Sequence, residues 1–208
     1  MRRDLISAFL AVIVMTVLLG VAYPLVVTGI AQVAWPNKAD GSQIRVNGKV
    51  VGSKLLSQPF VIDTGRRDSR GNAITRPDPR YFQPRPSQDS YNPAATFFSN
   101  RGPNQSSARY FFRGELAAYV ALEKPYDPGL TAAQVPVDAM TTSASGVDPH
   151  ISQANARIQA HRVAAVRRIP PARVAQLIAD HTAGRALGVL GEPGVNVTTL
   201  NLALDGHA

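Results

Sequence analysis

Residues 5–32 carry no charged side chain, and no other feature constrains this chain as strongly. At about 1.5 Å rise per residue the run makes a helix roughly 40 Å long, more than the roughly 30 Å of hydrocarbon in a bilayer. A retained transmembrane helix over residues 5–32 is expected. The competing reading is a cleaved signal peptide, for which Gly29-Ile30-Ala31 has the small-residue spacing, although the apolar core of such peptides is only about 7–15 residues long. Arg2 and Arg3 stand just before the run, and the positive-inside rule keeps such residues in the cytoplasm. Residues 1–4 are therefore expected to be cytoplasmic and residues 33–208 to form an extracytoplasmic body. Trp35 suits the outer interface, where an indole sits at headgroup depth, and Pro36 stops the helix. Inside the span, Pro24 lacks a backbone donor and should kink the helix. With Gly20, Tyr23 and Gly29, and with Ser7 and Thr28, it marks a face for packing against other membrane helices, where small residues permit close approach. A plain anchor that tolerates Gly and Pro reads equally well from these residues.

Beyond the run, Arg, Asp, Pro and Gly punctuate every stretch, and the chain carries 22 Lys and Arg against 14 Asp and Glu, a net charge of +8. Its 208 residues allow one ordinary domain plus an appendage, or two small domains. That is too few for a polytopic transporter or a multidomain ATPase acting alone, so the chain is a module or a subunit. No cysteine is present, which excludes disulfides, thiolate metal sites and a cysteine nucleophile. Residues 44–51 read as a β-hairpin, two β-prone arms around Asn47-Gly48, the pair that best tolerates the positive φ angles of a type I′ turn. Residues 63–104 read as mostly irregular, with an Arg/Pro-rich insertion around 63–80 as the least ordered part. Residues 116–124 form one short helix ended by Pro125. Asp148 is placed as N-cap and Pro149 as first residue of the next helix, with Ile151, Ala154, Ile158, Ala165 and Val166 near helical spacing. Pro170-Pro171 ends that helix and starts another, in which Val174, Leu177 and Ile178 share a face before Gly184. The run 195–204 alternates apolar and polar residues with one slip at Thr198-Thr199, and at least its first half reads as a strand. The fold class is α+β: one N-terminal transmembrane helix followed by a small mixed α/β extracytoplasmic domain.

Several clusters bear on chemistry. Phe60-Val61-Ile62-Asp63-Thr64-Gly65 has the form of an aspartic-protease strand, and Gly188-Val189-Leu190-Gly191 imitates a later element of that fold. Such chemistry needs two carboxylates sharing a proton, so a single copy needs a homodimer. Arg66-Arg67-Asp68 would place charge where that fold needs a packed core, which favours a loop entering an insertion. Residues 142–150 gather Ser143, Ser145, Asp148 and His150. A hydrolase triad converges from distant segments, and Ser143 stands where a G-x-S-x-G elbow has its first Gly. The plain reading is a turn leading to an Asp148 cap. The sharper one is anion binding by amides and hydroxyls at a helix N-terminus. His150, His161 and His181 show no metal spacing, and no metal ligand is named. Gly48-Lys49 is followed by Val50 and makes no P-loop. Residues 66–113 hold nine Arg and three Asp among Tyr and Phe. In the cytoplasm this would suit single-stranded nucleic acid; behind a membrane anchor nucleic acid is excluded, acidic lipid headgroups or an acidic protein face fit better, and plain solvated charge remains the commonest outcome for such a run. The alternative class of function is a membrane-anchored extracytoplasmic enzyme, with Asp63 as an aspartic-protease-like group or Ser145 as a nucleophile.

Read together, the blocks are more specific than any one of them. Their order is Leu56-Ser57-Gln58-Pro59-Phe60, Tyr81-Phe82-Gln83-Pro84-Arg85-Pro86-Ser87, Tyr91-Asn92-Pro93, Ser99-Asn100-Arg101-Gly102-Pro103, Thr142-Ser143-Ala144-Ser145-Gly146-Val147-Asp148-Pro149-His150, Gln159-Ala160-His161-Arg162-Val163-Ala164 and Gly191-Glu192-Pro193-Gly194-Val195-Asn196-Val197. With Tyr23-Pro24-Leu25 inside the span, this order resembles the C subunit of the Kdp potassium-transporting P-type ATPase, the KdpC family, over nearly the whole chain. Between Phe60 and Tyr81 the chain carries roughly fifteen residues more than the usual short connection of that family, which strengthens the loop reading of Asp63. The resemblance implies a non-catalytic, single-span subunit of the inner (plasma) membrane in an ATP-driven, high-affinity potassium uptake complex. Its implied partners are a channel-like potassium-binding subunit, an ATP-hydrolysing P-type subunit and a small single-span subunit. Assistance in assembly and a raised ATP affinity of the hydrolysing subunit are implied with it. No cofactor is held tightly, ATP being reached through the complex. The turn at Ser143, Ser145 and Gly146 is the candidate nucleotide or anion contact, by likeness to the signature loop of ABC ATPases. Topology opposes that contact, because ATP is cytoplasmic and Arg2-Arg3 hold the body outside.

Overall fold

The computed structural model describes residues 1–95, 99–102 and 104–206, and the chain divides into two compact units, Met1–Ile44 and Arg45–Ala208. In the first unit, α1 (Arg2–Val17) and α2 (Tyr23–Ala34) are joined by a π turn, Leu18–Ala22, into 33 continuous helical residues. This helix is long and apolar enough to cross a membrane, and none of its apolar stretch is buried. Pro24 explains the π turn. Its nitrogen cannot donate to the Gly20 carbonyl and its ring would crowd it, so the ladder widens by one residue just ahead of the proline. The disturbance expected at Pro24 therefore takes the form of a π turn. The helix stops at Trp35, where φ is −143°. Pro36 then opens a single turn, α3 (Pro36–Ala39).

The second unit follows the expected class, with differences in detail. β1 (Gln43–Val46) and β2 (Lys49–Ser53) form the expected hairpin, with Asn47 at φ 50° and Gly48 at φ 77°. Residues 63–80, expected to be irregular, instead contain a second hairpin: β3 (Val61–Arg67) pairs antiparallel with β4 (Ala73–Pro77), with a bulge between Asp63 and Arg67. Two local devices order it. Gly65, at φ 75°, supplies the bulge, and the Asp68 carboxylate closes the turn by accepting from the Arg70 and Asn72 amides, both at 2.8 Å. The helix expected over residues 116–124 is longer, α4 (Ser106–Glu123), and runs through Gly114.

The Asp148 cap is also corrected. His150–Ile151 is a strand, β5, and the helix begins at α5 (Gln153–Arg167) with Ser152 as N-cap, its Oγ accepting from the Asn155 N–H at 3.1 Å. Asp148 instead accepts from the His150 N–H at 3.0 Å, which bends the chain into the strand. Arg168 ends α5 in the left-handed conformation, and Pro171 opens α6 (Pro171–Asp180), which buries Val174, Leu177 and Ile178 as expected. β6 (Thr182–Ala183) and β7 (Gly194–Asn196) complete a three-stranded antiparallel sheet in the order β5-β7-β6. The strand expected from residue 195 onward ends after two residues, because the Asn196 side chain accepts from the Thr199 N–H at 3.1 Å and starts a helix, α7 (Val197–Leu204). The main core gathers Phe82, Ile151, Ala156, Val163, Val174, Val195, Val197 and Leu200. A smaller one joins Tyr119 of α4 to Leu130, Val135 and Ala139.

Candidate functional site

The centre of the body is a polar clamp. Tyr81-Phe82-Gln83 lies outside every strand, yet its backbone is satisfied by side chains from two helices. Asn201 of α7 accepts from the Phe82 N–H and donates to the Phe82 carbonyl, both at 2.9 Å. Gln159 of α5 does the same for Gln83, at 2.7 and 3.0 Å. Each amide side chain thus stands in for one residue of a neighbouring strand. Arg162, one turn further along α5, donates to the Pro79 and Tyr81 carbonyls at 2.7 and 2.8 Å and to both oxygens of Glu123 on α4 at 3.0 and 3.1 Å. Arg162 is 0% and Glu123 1% exposed. Burial pushes the Glu123 carboxyl above its ordinary range, and the Arg162 charge works against that rise. Asn155 extends the network, accepting from the Gln159 amide and the Tyr119 hydroxyl and donating to Asp138, which also receives the Ser152 N–H. Burial drives the Tyr119 hydroxyl strongly upward, so it remains a donor.

The Ser143–Gly146 turn is fastened to the same segment. The Arg85 guanidinium donates to the Thr142 carbonyl at 3.0 Å and lies 3.7 Å from the Asp148 carboxylate. The Ser57 amide donates to the Val147 carbonyl at 2.7 Å. Ser143 is buried, and Ser145 is half-buried with its Oγ accepting from the Val147 N–H at 3.3 Å. Gly146 has φ 76°, and a Cβ there would lie 2.5 Å from Asp89 Oδ1. Only glycine fits on both counts. Because α5 starts at Gln153, the amides of this turn are not those of a helix N-terminus. Among the described residues, the charged side chains placed against the turn include the Arg85 guanidinium and the Asp89 and Asp148 carboxylates.

Comparison with known proteins bears on both units at once. The family described as K+-transporting ATPase, c chain (KdpC) matches residues 5–206. The chain belongs to the KdpC family. Curated relatives named potassium-transporting ATPase KdpC subunit include one from Sorangium cellulosum, 46% identical over 209 residues, covering 99% of this chain and 99% of that protein. Another, from Polaromonas naphthalenivorans, is 45% identical over 208 residues, covering 99% and 95%. A third, from Koribacter versatilis, is 40% identical over 208 residues, covering 99% and 96%. The KdpC match runs through the apolar helix, the clamp and the Ser143–Gly146 turn.

The remaining sequence candidates of this KdpC-family chain take structural places. Gly20 lies within the π turn, Tyr23 and Pro24 open α2, and Gly29 lies within α2; Trp35 caps it. Asp63 is exposed on β3, where it accepts from the Gly65 amide at 2.8 Å and from Arg67 Nη1 at 2.9 and 3.0 Å. His150 Nδ1 lies 3.2 Å from Asp148, and among the described residues no hydrogen bond joins His150 to Ser143 or Ser145. His161 lines an apolar cavity of about 340 Å³ with Tyr126, Ala164 and Ile169. His181 Nδ1 lies 2.9 Å from the Thr199 hydroxyl. Among the described residues no group of three His, Asp or Glu is placed to hold a metal. Sequence reasoning missed the clamp residues Glu123, Asn155, Gln159, Arg162 and Asn201. The available signal was the spacing of 155, 159 and 162, which is helical although polar.

Proposed function

We propose that this chain is the accessory single-span subunit of an ATP-driven potassium uptake complex, supporting assembly and stability of the pump. The observation that carries this reading is the family match over residues 5–206, which takes in the exposed apolar helix and the clamped body alike. The helix anchors the chain in the inner membrane beside a channel-like potassium-binding subunit, a P-type ATP-hydrolysing subunit and a small single-span subunit. Arg2 and Arg3 hold the N-terminus in the cytoplasm and the body outside, bracing the outer face of the channel-like partner. Placed there, Ser143, Ser145 and Gly146 have no route to cytoplasmic ATP. The raised ATP affinity implied by the family is then transmitted through the partners, and the turn serves a protein contact. The chain has no cysteine of its own, so Ser145→Cys gives a single label site. In intact cells a membrane-impermeant maleimide should label it, and a tag on the chain should bring down two larger membrane proteins. Protection until the membrane is opened would overturn the outside placement; a chain purified alone would overturn the subunit role.

A further inference from the structure

α4 bears two glutamates and two arginines, and it uses them differently. Glu123 is buried against Arg162, and Glu115 is half-buried in a small cavity with Tyr91 and Tyr119. Arg109 and Arg113, one turn apart, are exposed instead and line another cavity, of about 420 Å³, with Asn104, Ser106 and Tyr110. No carboxylate is among the described residues that line it. Among the described residues six arginines pair with carboxylates, and Arg109 and Arg113 are not two of them.

Like charges four residues apart on a helix repel each other. Arginines that are merely solvated spread into water, whereas these two share the wall of one cavity with the Ser106 hydroxyl and the Asn104 amide, both able to donate. The site is built from side chains: the Ala108 and Arg109 amides at the start of α4 already donate to the Gln105 carbonyl, at 3.1 and 3.4 Å. One guanidinium fork satisfies a carboxylate. Two forks with a hydroxyl beside them match a phosphate, which offers several acceptor oxygens in a tetrahedral array. The cavity is larger than a phosphate group and leaves room for the glycerol that a lipid phosphate carries. Tyr110 at its rim is 81% exposed, and an amphipathic ring of this kind suits headgroup depth. The chain's own apolar helix tethers the body to a bilayer, where lipid phosphate is locally concentrated and soluble phosphate is not.

We propose that Asn104, Ser106, Arg109 and Arg113 form a binding site for the phosphate of an anionic phospholipid headgroup. The site needs no partner subunit and holds for a body on either side of the membrane, so its test leaves the subunit reading untouched. The full-length chain in a neutral detergent is titrated with short-chain phosphatidylglycerol, and bound lipid is counted by native mass spectrometry. Arg109→Gln and Arg113→Gln should each weaken binding about tenfold, with the thermal midpoint of the chain unmoved, because glutamine keeps the helix. Arg66→Gln with Arg70→Gln removes two charges from the β3–β4 hairpin and should leave binding within about twofold. An equal loss in that variant would mean attraction by net charge alone and overturns the proposal. Phosphatidylcholine of the same chain length reports binding through acyl chains, and binding as tight as that of phosphatidylglycerol overturns it too. Inorganic phosphate that displaces the lipid at equal concentration would assign the site to the free ion and overturn the lipid source. No loss in either α4 variant overturns the site itself.

Discussion

Arg162 exchanges all of its water for five hydrogen bonds, to Glu123, Gln159 and the carbonyls of Pro79 and Tyr81. A buried pair of this kind adds little over a well-packed apolar pair, but removing one member leaves the other charge stranded at a cost of about 3–5 kcal/mol. Arg162→Met should therefore lower the unfolding free energy of the full chain in detergent by about 3–5 kcal/mol, measured by denaturant unfolding. Adding Glu123→Leu should recover part of that loss, and only part, because the Pro79 and Tyr81 carbonyls lose their donor in both variants. Equal losses in the single and double variants would contradict the pairing. None of this was legible from apolar periodicity. Along α5 the face that carries Asn155, Gln159 and Arg162 is buried at the helical intervals that mark a core face, but with residue types that such a search counts as solvent-facing.

At the level of elements, the legible parts were those whose local chemistry has one solution. Asn47-Gly48 fixes a hairpin, and Pro170-Pro171 separates two helices. Elsewhere a short side chain redirected the backbone. Residues 195–204 alternate well enough for a strand, yet Val197, Leu200 and Leu204 also fit a helical face, and the Asn196 cap decides between the two. The same residue donates its Nδ2 to the Lys54 carbonyl at 2.8 Å. Asn196→Ala should therefore cost about 1–2 kcal/mol, and Asn196→Asp, which keeps the cap and loses the amide donor, should cost less. Chemical denaturation of the two variants checks the order; an alanine variant as stable as the unmodified chain would show that α7 does not depend on its cap. Residues 63–80 were misread for a related reason. Their abundance of Arg, Pro and Gly hides one bulge glycine and one aspartate that closes the turn.

For the molecule as a whole, the division into an apolar helix and an α+β body was plain in the sequence, because one charge-free run and its flanking charges determine it. The balance of charge in the folded body was not, since it depends on burial. His181 sits half-buried, and burial holds its pKa below the ordinary 6.5, with Lys54 acting in the same direction and Asp180 against it. A lowered histidine pKa means that the fold prefers the neutral ring. The stability it contributes is complete above pH 6.5 and is lost as the pH falls below that value, where the unfolded chain binds more protons. Asp78, held low by its hydrogen bonds to Arg80 against burial, contributes in the same sense only in stronger acid, below its ordinary 3.8. The thermal midpoint of the full chain should thus fall in a first step below pH 6.5 and in a second below 3.8, with Glu123, whose raised carboxyl favours the folded state once protonated, acting against the fall between them; His181→Gln should remove the first step while leaving the second. An unchanged first step would place the proton elsewhere. The π turn bears on the whole assembly in another way. One extra residue, at about 100° of rotation each, swings the following helix by roughly that angle about its axis. The stripe that α1 presents is turned away before α2 begins, so the two halves of the helix offer apolar stripes in different directions.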